Sequence, residues 1–222
     1  MNDILEFDGI ELSYGTNRIL RSVYVKCAVG EVVGILGRNG SGKSSLFKVV
    51  FGSERADHRS IRINEQPLPV DFIKRQLIGY LPQGNLIPPQ VTIGRALTMF
   101  GVMHSTLLDY FPDFDEQLAL RPDQLSGGTR RVIELLLVLH SRSRFVFLDE
   151  PFSGVMPVHV EVIKKMIQHA KKEKGIVLTD HLYRNVLSIA DRLYVLANGS
   201  TYAITDHEEL VSRGYLAADD MN

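Results

Sequence analysis

Short apolar runs alternate along this chain with stretches whose apolar positions recur every three or four residues, the pattern of interleaved strands and helices. Runs rich in β-branched residues predict strands over Ile4–Phe7, Ile10–Ser13, Val23–Cys27, Val32–Leu36, Ser60–Ile63, Ile78–Leu81, Phe145–Leu148, Ile176–Thr179 and Arg192–Leu196. The first three are half polar and suit an antiparallel sheet with one wet face. Val32–Leu36, Phe145–Leu148 and Ile176–Thr179 are nearly all apolar, as strands buried on both faces must be.

Helices follow from the 3.6-residue period. Val132, Leu135, Leu136 and Leu139 form one stripe, and Ile133 and Leu137 widen it, which predicts a mostly buried helix. Ile163, Met166, Ile167 and Ala170 repeat the spacing and leave Lys164, Lys165, Lys171 and Lys172 as a solvated face. A further helix is expected over Lys43–Phe51. Asn198-Gly199 predicts a hairpin turn, and Thr205-Asp206-His207-Glu208 a capping box. Thr92–Phe114 stands apart: Met99, Phe100, Met103, Tyr110, Phe111 and Phe114 lie in a stretch broken by Gly101 and Pro112. It reads as a small helical subdomain with its own core, or more sharply as a surface where a partner docks.

Composition narrows the class. Of 222 residues, 45% are hydrophobic, enough for a sizeable core and too many for a disordered chain. The lone cysteine, Cys27, excludes an internal disulfide framework and fits a reducing compartment. Lysine and arginine number 25 against 26 acids, so no basic surplus points to nucleic acid as a direct partner. No apolar run approaches the roughly 18 residues of a membrane-spanning helix. The acidic N-terminus does not resemble a signal peptide. The expectation is a soluble, intracellular protein.

Gly37-Arg38-Asn39-Gly40-Ser41-Gly42-Lys43-Ser44 fits the phosphate-loop pattern G-x-x-x-x-G-K-[ST] in full. Glycines let successive N–H groups face an anion, and the helix that follows aims its positive end at the same point. Lys43 supplies a mobile charge for phosphates, and the Ser44 hydroxyl can ligate Mg²⁺. An apolar strand leads in and a helix leads out, which marks a nucleoside triphosphate site. A GTPase would carry an N-K-x-D motif, and no Asn-Lys pair occurs. The loop alone leaves a small-molecule kinase open.

Phe145-Val146-Phe147-Leu148-Asp149-Glu150 is an apolar strand ending in two carboxylates. A buried strand delivers Asp149 to the edge where ligands sit in open α/β sheets, there to hold Mg²⁺, with Glu150 beside it to activate water. Leu125-Ser126-Gly127-Gly128-Thr129 precedes the buried helix and makes a second anion cradle, where a single nucleotide needs only one.

The ordered set Tyr14, Gly37–Ser44, Gln83, Leu125-Ser126-Gly127-Gly128, Asp149-Glu150 and His181 resembles the nucleotide-binding domain of ATP-binding cassette (ABC) transporters. The resemblance runs from Tyr14 to about Leu196. It implies an α/β P-loop ATPase with a RecA-like core, an N-terminal antiparallel β-subdomain and an inserted α-helical subdomain. The core would take residues 1–83 and 126–222 of a single domain, and the helical signature subdomain residues 84–125. It implies ATP bound by Tyr14, stacked on adenine, by Gly37 through Ser44 with Ser45, and by Gln83. Mg²⁺ would be held by Ser44, Gln83 and Asp149, and catalysis carried by Glu150 and the switch residue His181. Ser126, Gly127 and Gly128 would close on the ATP of a second subunit in a head-to-tail homodimer or heterodimer. Transport would pass through separate transmembrane permease subunits, with this chain cytoplasmic and peripheral on the inner face of the cell membrane through them.

Two departures stand out. Thr129 replaces the usual glutamine, and Ser153-Gly154-Val155-Met156 replaces Ser-Ala-Leu-Asp, so the aspartate of a loop that crosses the dimer is missing. The alternatives are a soluble non-transport ATPase of the same superfamily and a hydrolysis-impaired partner in a heterodimer.

Overall fold

The computed structural model describes residues 3–73, 75–206, 209–210 and 215. The expected capping box at 205–208 falls partly outside them. The described strands form a single mixed sheet in the order β5-β4-β1-β2-β10-β9-β3-β8-β7-β6. At one end β1 (Ile4–Tyr14), β2 (Asn17–Ala28), β4 (His58–Ile63) and β5 (Gln66–Pro67) pair antiparallel. At the other, β3 (Val32–Leu36), β8 (Gly175–Thr179), β7 (Phe145–Asp149) and β6 (Ile78–Leu81) run parallel, with β9 (Arg192–Ala197) parallel on the far side of β3. Antiparallel β10 (Ser200–Ile204) follows β9, and Asn198 and Gly199 take positive φ in the turn between them.

Ile4–Phe7 and Ile10–Ser13, expected as two strands, are one. Phe7 pairs with Val25 and Ile10 with Val23, so β1 carries one extra residue opposite β2. That bulge shifts the inward phase from Leu5 and Phe7 to Ile10 and Leu12, all four buried. The phase slip is what made one strand read as two. By contrast β3, β7 and β8 are buried at every position, as their unbroken apolar runs require.

Among the described residues, six helices accompany the sheet: α1 (Lys43–Phe51), α2 (Ile93–Phe100), α3 (His104–Tyr110), α4 (Gly127–Leu139), α5 (Pro157–Lys171) and α6 (Tyr183–Leu187). Thr92 caps α2, accepting from the Arg95 N–H, and left-handed Gly101 ends it. Three short 3-10 turns cover Pro112–Phe114, Glu116–Ala119 and Pro122–Gln124. The stretch from α2 to these turns does not have the separate core expected of it. Leu97, Leu107, Phe111 and Phe114 share one cluster with Val132, Leu136 and Met166 from α4 and α5. Met99 and Met103 remain exposed, at 64% and 70%. The expected lysine face of α5 is partly tied down, because Lys171 bonds Asp191 at 2.5 Å and Lys164 bonds Glu161 at 2.9 Å.

Candidate functional site

The strand order β3-β8-β7-β6 sets the carboxyl ends of four parallel strands side by side. The chain leaves them at Gly37, Asp180, Glu150 and Pro82. The segments that follow therefore gather along one sheet edge, where ligands bind in open α/β folds.

The loop after β3 wraps into α1 with Gly40 and Gly42 at φ 79° and 102°. Gly42 is required twice, since its φ is left-handed and an added Cβ would meet Ile19 Cγ2 at 2.9 Å. Lys43 is 8% exposed, and its ammonium donates to the carbonyls of Gly37 at 2.7 Å and Arg38 at 3.2 Å. Burial pulls its pKa down, while Glu150, Asp149 and Asp180 pull it up. A charge held on its own loop carbonyls can transfer to an entering phosphate with little reorganisation.

Asp149, 1% exposed, ends β7. Its Oδ1 accepts from the Ser44 hydroxyl at 3.1 Å and its Oδ2 from the Tyr80 phenol at 3.3 Å. Burial raises its pKa, and the Ser44 bond counters. Tyr80 is raised too, by burial and by Asp149. The Ser44–Asp149 pair is a hard-oxygen set that fits Mg²⁺. Gln83, the third expected ligand, donates its amide N–H to Glu150 Oε2 at 3.0 Å. That same carboxylate oxygen lies 3.7 Å from Nδ1 of His181, which in turn is 3.5 Å from Asp180 Oδ1. Glu150 itself has φ 55°, a left-handed conformation that costs a non-glycine residue on the order of 1–3 kcal/mol.

A cavity of about 540 Å³ brings together Tyr14, Asn39, Gly40, Gly42, Lys43, Ser44, Ser45, Gln83, Glu150 and His181. Gly37, Arg38 and Ser41 line a different cavity, with Arg18, Arg21 and Tyr215. Ser126, Gly127 and Gly128 lie apart from the first cavity. They line another, shared with Gln83, Glu150, Gly154 and Met156. Ser126 caps α4, accepting from the Thr129 N–H at 3.1 Å. Gly128 has no room for a side chain, since a Cβ would meet the Gly154 carbonyl oxygen at 2.5 Å.

Sequence reasoning passed over Tyr80, Arg131, Glu134 and Asp180. Glu134 carried a readable signal, because it lies between Ile133 and Leu135 in a helix expected to be buried, whereas Arg131 adjoins Arg130 ahead of the apolar stripe; Arg131 and Glu134 are both buried. Asp180 is fully buried and accepts from the N–H groups of Phe152 and Leu182 at 2.8 and 2.9 Å. It directly follows β8, and nothing in its local sequence distinguishes it from a turn residue.

A glycine-wrapped anion loop, a lysine at its floor and a strand-end carboxylate facing a helix-borne serine define a P-loop nucleoside triphosphatase. Residues 20–153 match the family model described as ABC transporter. The chain is 33% identical over 227 residues to the lipopolysaccharide export system ATP-binding protein LptB of Acidithiobacillus ferridurans, covering 95% of this chain and 93% of that protein. It is 32% identical over 209 residues to the high-affinity branched-chain amino acid transport ATP-binding protein BraG of Pseudomonas aeruginosa, covering 88% and 90%. Among solved structures, an ATP-binding subunit of an ABC transporter superposes with TM-score 0.82 at 23% identity over 98% of this chain and 97% of that one. An ATP-bound bacterial Atm1-family ABC exporter gives 0.83 at 19%, over 98% and 41%. The chain belongs to the ABC transporter family as an ATP-binding subunit, an ATPase that energises transport by a separate membrane partner.

Proposed function

We propose that two such subunits close head to tail, each offering its phosphate loop to one ATP and its Ser126–Gly128 segment to the ATP of the other. The observation that carries this reading is the separation of two anion cradles. Lys43 and Ser44 line one cavity, Ser126 to Gly128 another, and Gln83 and Glu150 border both. A single nucleotide needs only one such cradle for its phosphates.

Within that reading residues 84–125 act as the helical signature subdomain, and residues 1–83 and 126–222 as the core. Gly40, Gly42 and the first turn of α1 would receive the phosphates, with Tyr14 against the base. Ser44, Asp149 and the amide oxygen of Gln83 would hold Mg²⁺, which supplies charge neutralisation at the phosphates. Glu150 would accept the proton of the attacking water. Its carboxylate is oriented for that by Gln83 at 3.0 Å, and His181 stands beside it to donate toward the γ-phosphate.

A groove of about 580 Å³ between Phe51, Ile73 and Tyr80 on one side and Met99, Phe100 and Val138 on the other would receive the membrane subunit. Its apolar, methionine-bearing rim supports that use. Such docking would hold the chain on the inner face of the membrane through its partner. No helix of the described residues is long and apolar enough to cross a membrane. Two relatives of near-equal identity carry unlike cargo in their names, which supports cargo choice by the membrane subunits.

Purified chain should hydrolyse ATP with Mg²⁺ and stop when Mg²⁺ is chelated. A Met99→Glu chain should keep that rate yet lose co-purification with the membrane subunit. Hydrolysis that persists in excess chelator, or co-purification untouched by the substitution, would contradict the respective half of the reading.

A further inference from the structure

Arg131 sits one turn into α4, directly behind Ser126–Gly128, and is 7% exposed. Its guanidinium faces backbone carbonyls on two segments. Nη1 donates to Pro82 at 2.6 Å, Nε to Glu150 at 3.3 Å, and Nη2 to Glu150 at 3.2 Å and also to Asp149. Three residues on, on the same helix face, the Glu134 carboxylate accepts from the N–H groups of Leu86 at 2.8 Å and Ile87 at 3.3 Å. The helix therefore grips both ends of the loop that carries Gln83, together with the end of β7.

Glu150 is the residue with most at stake. Its N–H donates to the Thr179 carbonyl at 2.8 Å, and its own carbonyl accepts from Arg131 and, at 3.2 Å, from the Ser153 N–H, so it is anchored on both sides. Between those anchors φ is 55°, an uncommon and costly conformation for a glutamate. This backbone turn points the carboxylate at Gln83 and His181. Without the guanidinium that carbonyl keeps only the Ser153 N–H, and a relaxation of φ to negative values would swing the Cα–Cβ bond away from both.

We propose that Arg131 is a positioning residue for Glu150: it holds the left-handed turn that aims the carboxylate. Because it lies on the helix that starts at Ser126, it also ties the signature segment to the hydrolytic carboxylate of the same chain. The proposal rests on the reading of Glu150 as the water-activating base. Lysine cannot replace the fork, since one ammonium does not span three carbonyls on two segments in the geometry a planar guanidinium offers.

The test is a double-mutant cycle of Arg131→Lys and Glu150→Gln, read as kcat and KM for ATP in the full chain, with single-turnover measurements on labelled ATP for the slow variants. Arg131→Lys should lower kcat by about tenfold or more with KM within about twofold, the split expected when transition-state alignment is lost and ground-state binding is kept. In the Glu150→Gln background it should cost nothing further, because both changes disable the same group. An unchanged kcat, or losses that multiply in the double variant, would overturn the proposal. Should Arg131→Lys not fold, Arg131→Gln is read the same way. If neither folds, Arg131 is required for folding and the positioning role falls. Glu150→Gln with wild-type kcat would instead remove the reading of Glu150 as the base.

Discussion

The Ser44 hydroxyl lies 3.1 Å from Oδ1 of Asp149, joining the first turn of α1 to the end of β7 across 105 residues of sequence. The helix that follows β3 thus meets the carboxyl end of β7, although β8 lies between the two strands in the sheet. In the family reading these two oxygens face Mg²⁺. Ser44→Ala should then raise the Mg²⁺ needed for half-maximal hydrolysis by about tenfold or more, one lost hard-oxygen ligand being worth that order. Binding of ATP without Mg²⁺ should be unchanged. A Mg²⁺ titration of the rate, beside a metal-free binding assay, checks both.

Asp149 is costly to the fold. Burial lifts its pKa above the unfolded value, so around and above that unfolded value the folded chain binds a proton there more readily than the unfolded one. The stability contributed by this group therefore falls as pH rises through its folded pKa, and at neutral pH the charged form is a net penalty. Asp149→Asn should melt at a higher temperature than the natural chain at pH 7.5. The advantage should shrink as the pH approaches the ordinary aspartate value of about 3.9. Hydrolysis should be lost at every pH. Melting curves across pH read the first effect and an ATPase assay the second.

Gly128→Ala tests the seam between α4 and the loop at 154–155. An added methyl would meet the Gly154 carbonyl oxygen at 2.5 Å, and the opposing atoms are backbone, which cannot step aside cheaply. A loss of about 1–3 kcal/mol of stability is expected from such overpacking. Denaturant unfolding measures it, and a neutral result would mean the seam opens freely.

Met156 stands at the N-cap of α5, with φ −64° and ψ 141° and no side-chain cap, while Pro157 occupies the first turn. Methionine cannot accept a bond from the exposed N–H groups there, whereas aspartate can. Met156→Asp should raise stability by about 1 kcal/mol, or roughly 2–4 °C in melting temperature for a chain of this size. It should also change the rate or cooperativity of hydrolysis if the loop at 153–156 reaches the other subunit. Thermal melts read the cap, and ATP titrations of the rate read the loop.

Much of this was legible from residue order. The all-apolar strand Val32–Leu36, the run into Asp149, and the loop between Gly37 and Ser44 follow from local chemistry, since each is a short segment with one demand on it. What escaped was set by distant partners. The two-residue β5 exists through its pairing with β4. The β1 bulge answers the need to bury Leu5 and Phe7 and then Ile10 and Leu12 in one continuous strand. Arg131 was hidden because a charge beside Arg130, ahead of the apolar stripe, gains its meaning from carbonyls at 82, 149 and 150, which only the folded chain brings within reach.

If ATP closes two copies of this fold across their anion cradles, Glu150→Gln reveals it most directly. The substitution keeps the side-chain shape and removes the proton acceptor, so an ATP-bound pair should accumulate instead of turning over. Light scattering coupled to size exclusion should show the 24.9 kDa chain at twice that mass with ATP and at its own mass without. A single-chain mass at saturating ATP, with nucleotide bound, would contradict closure of the pair.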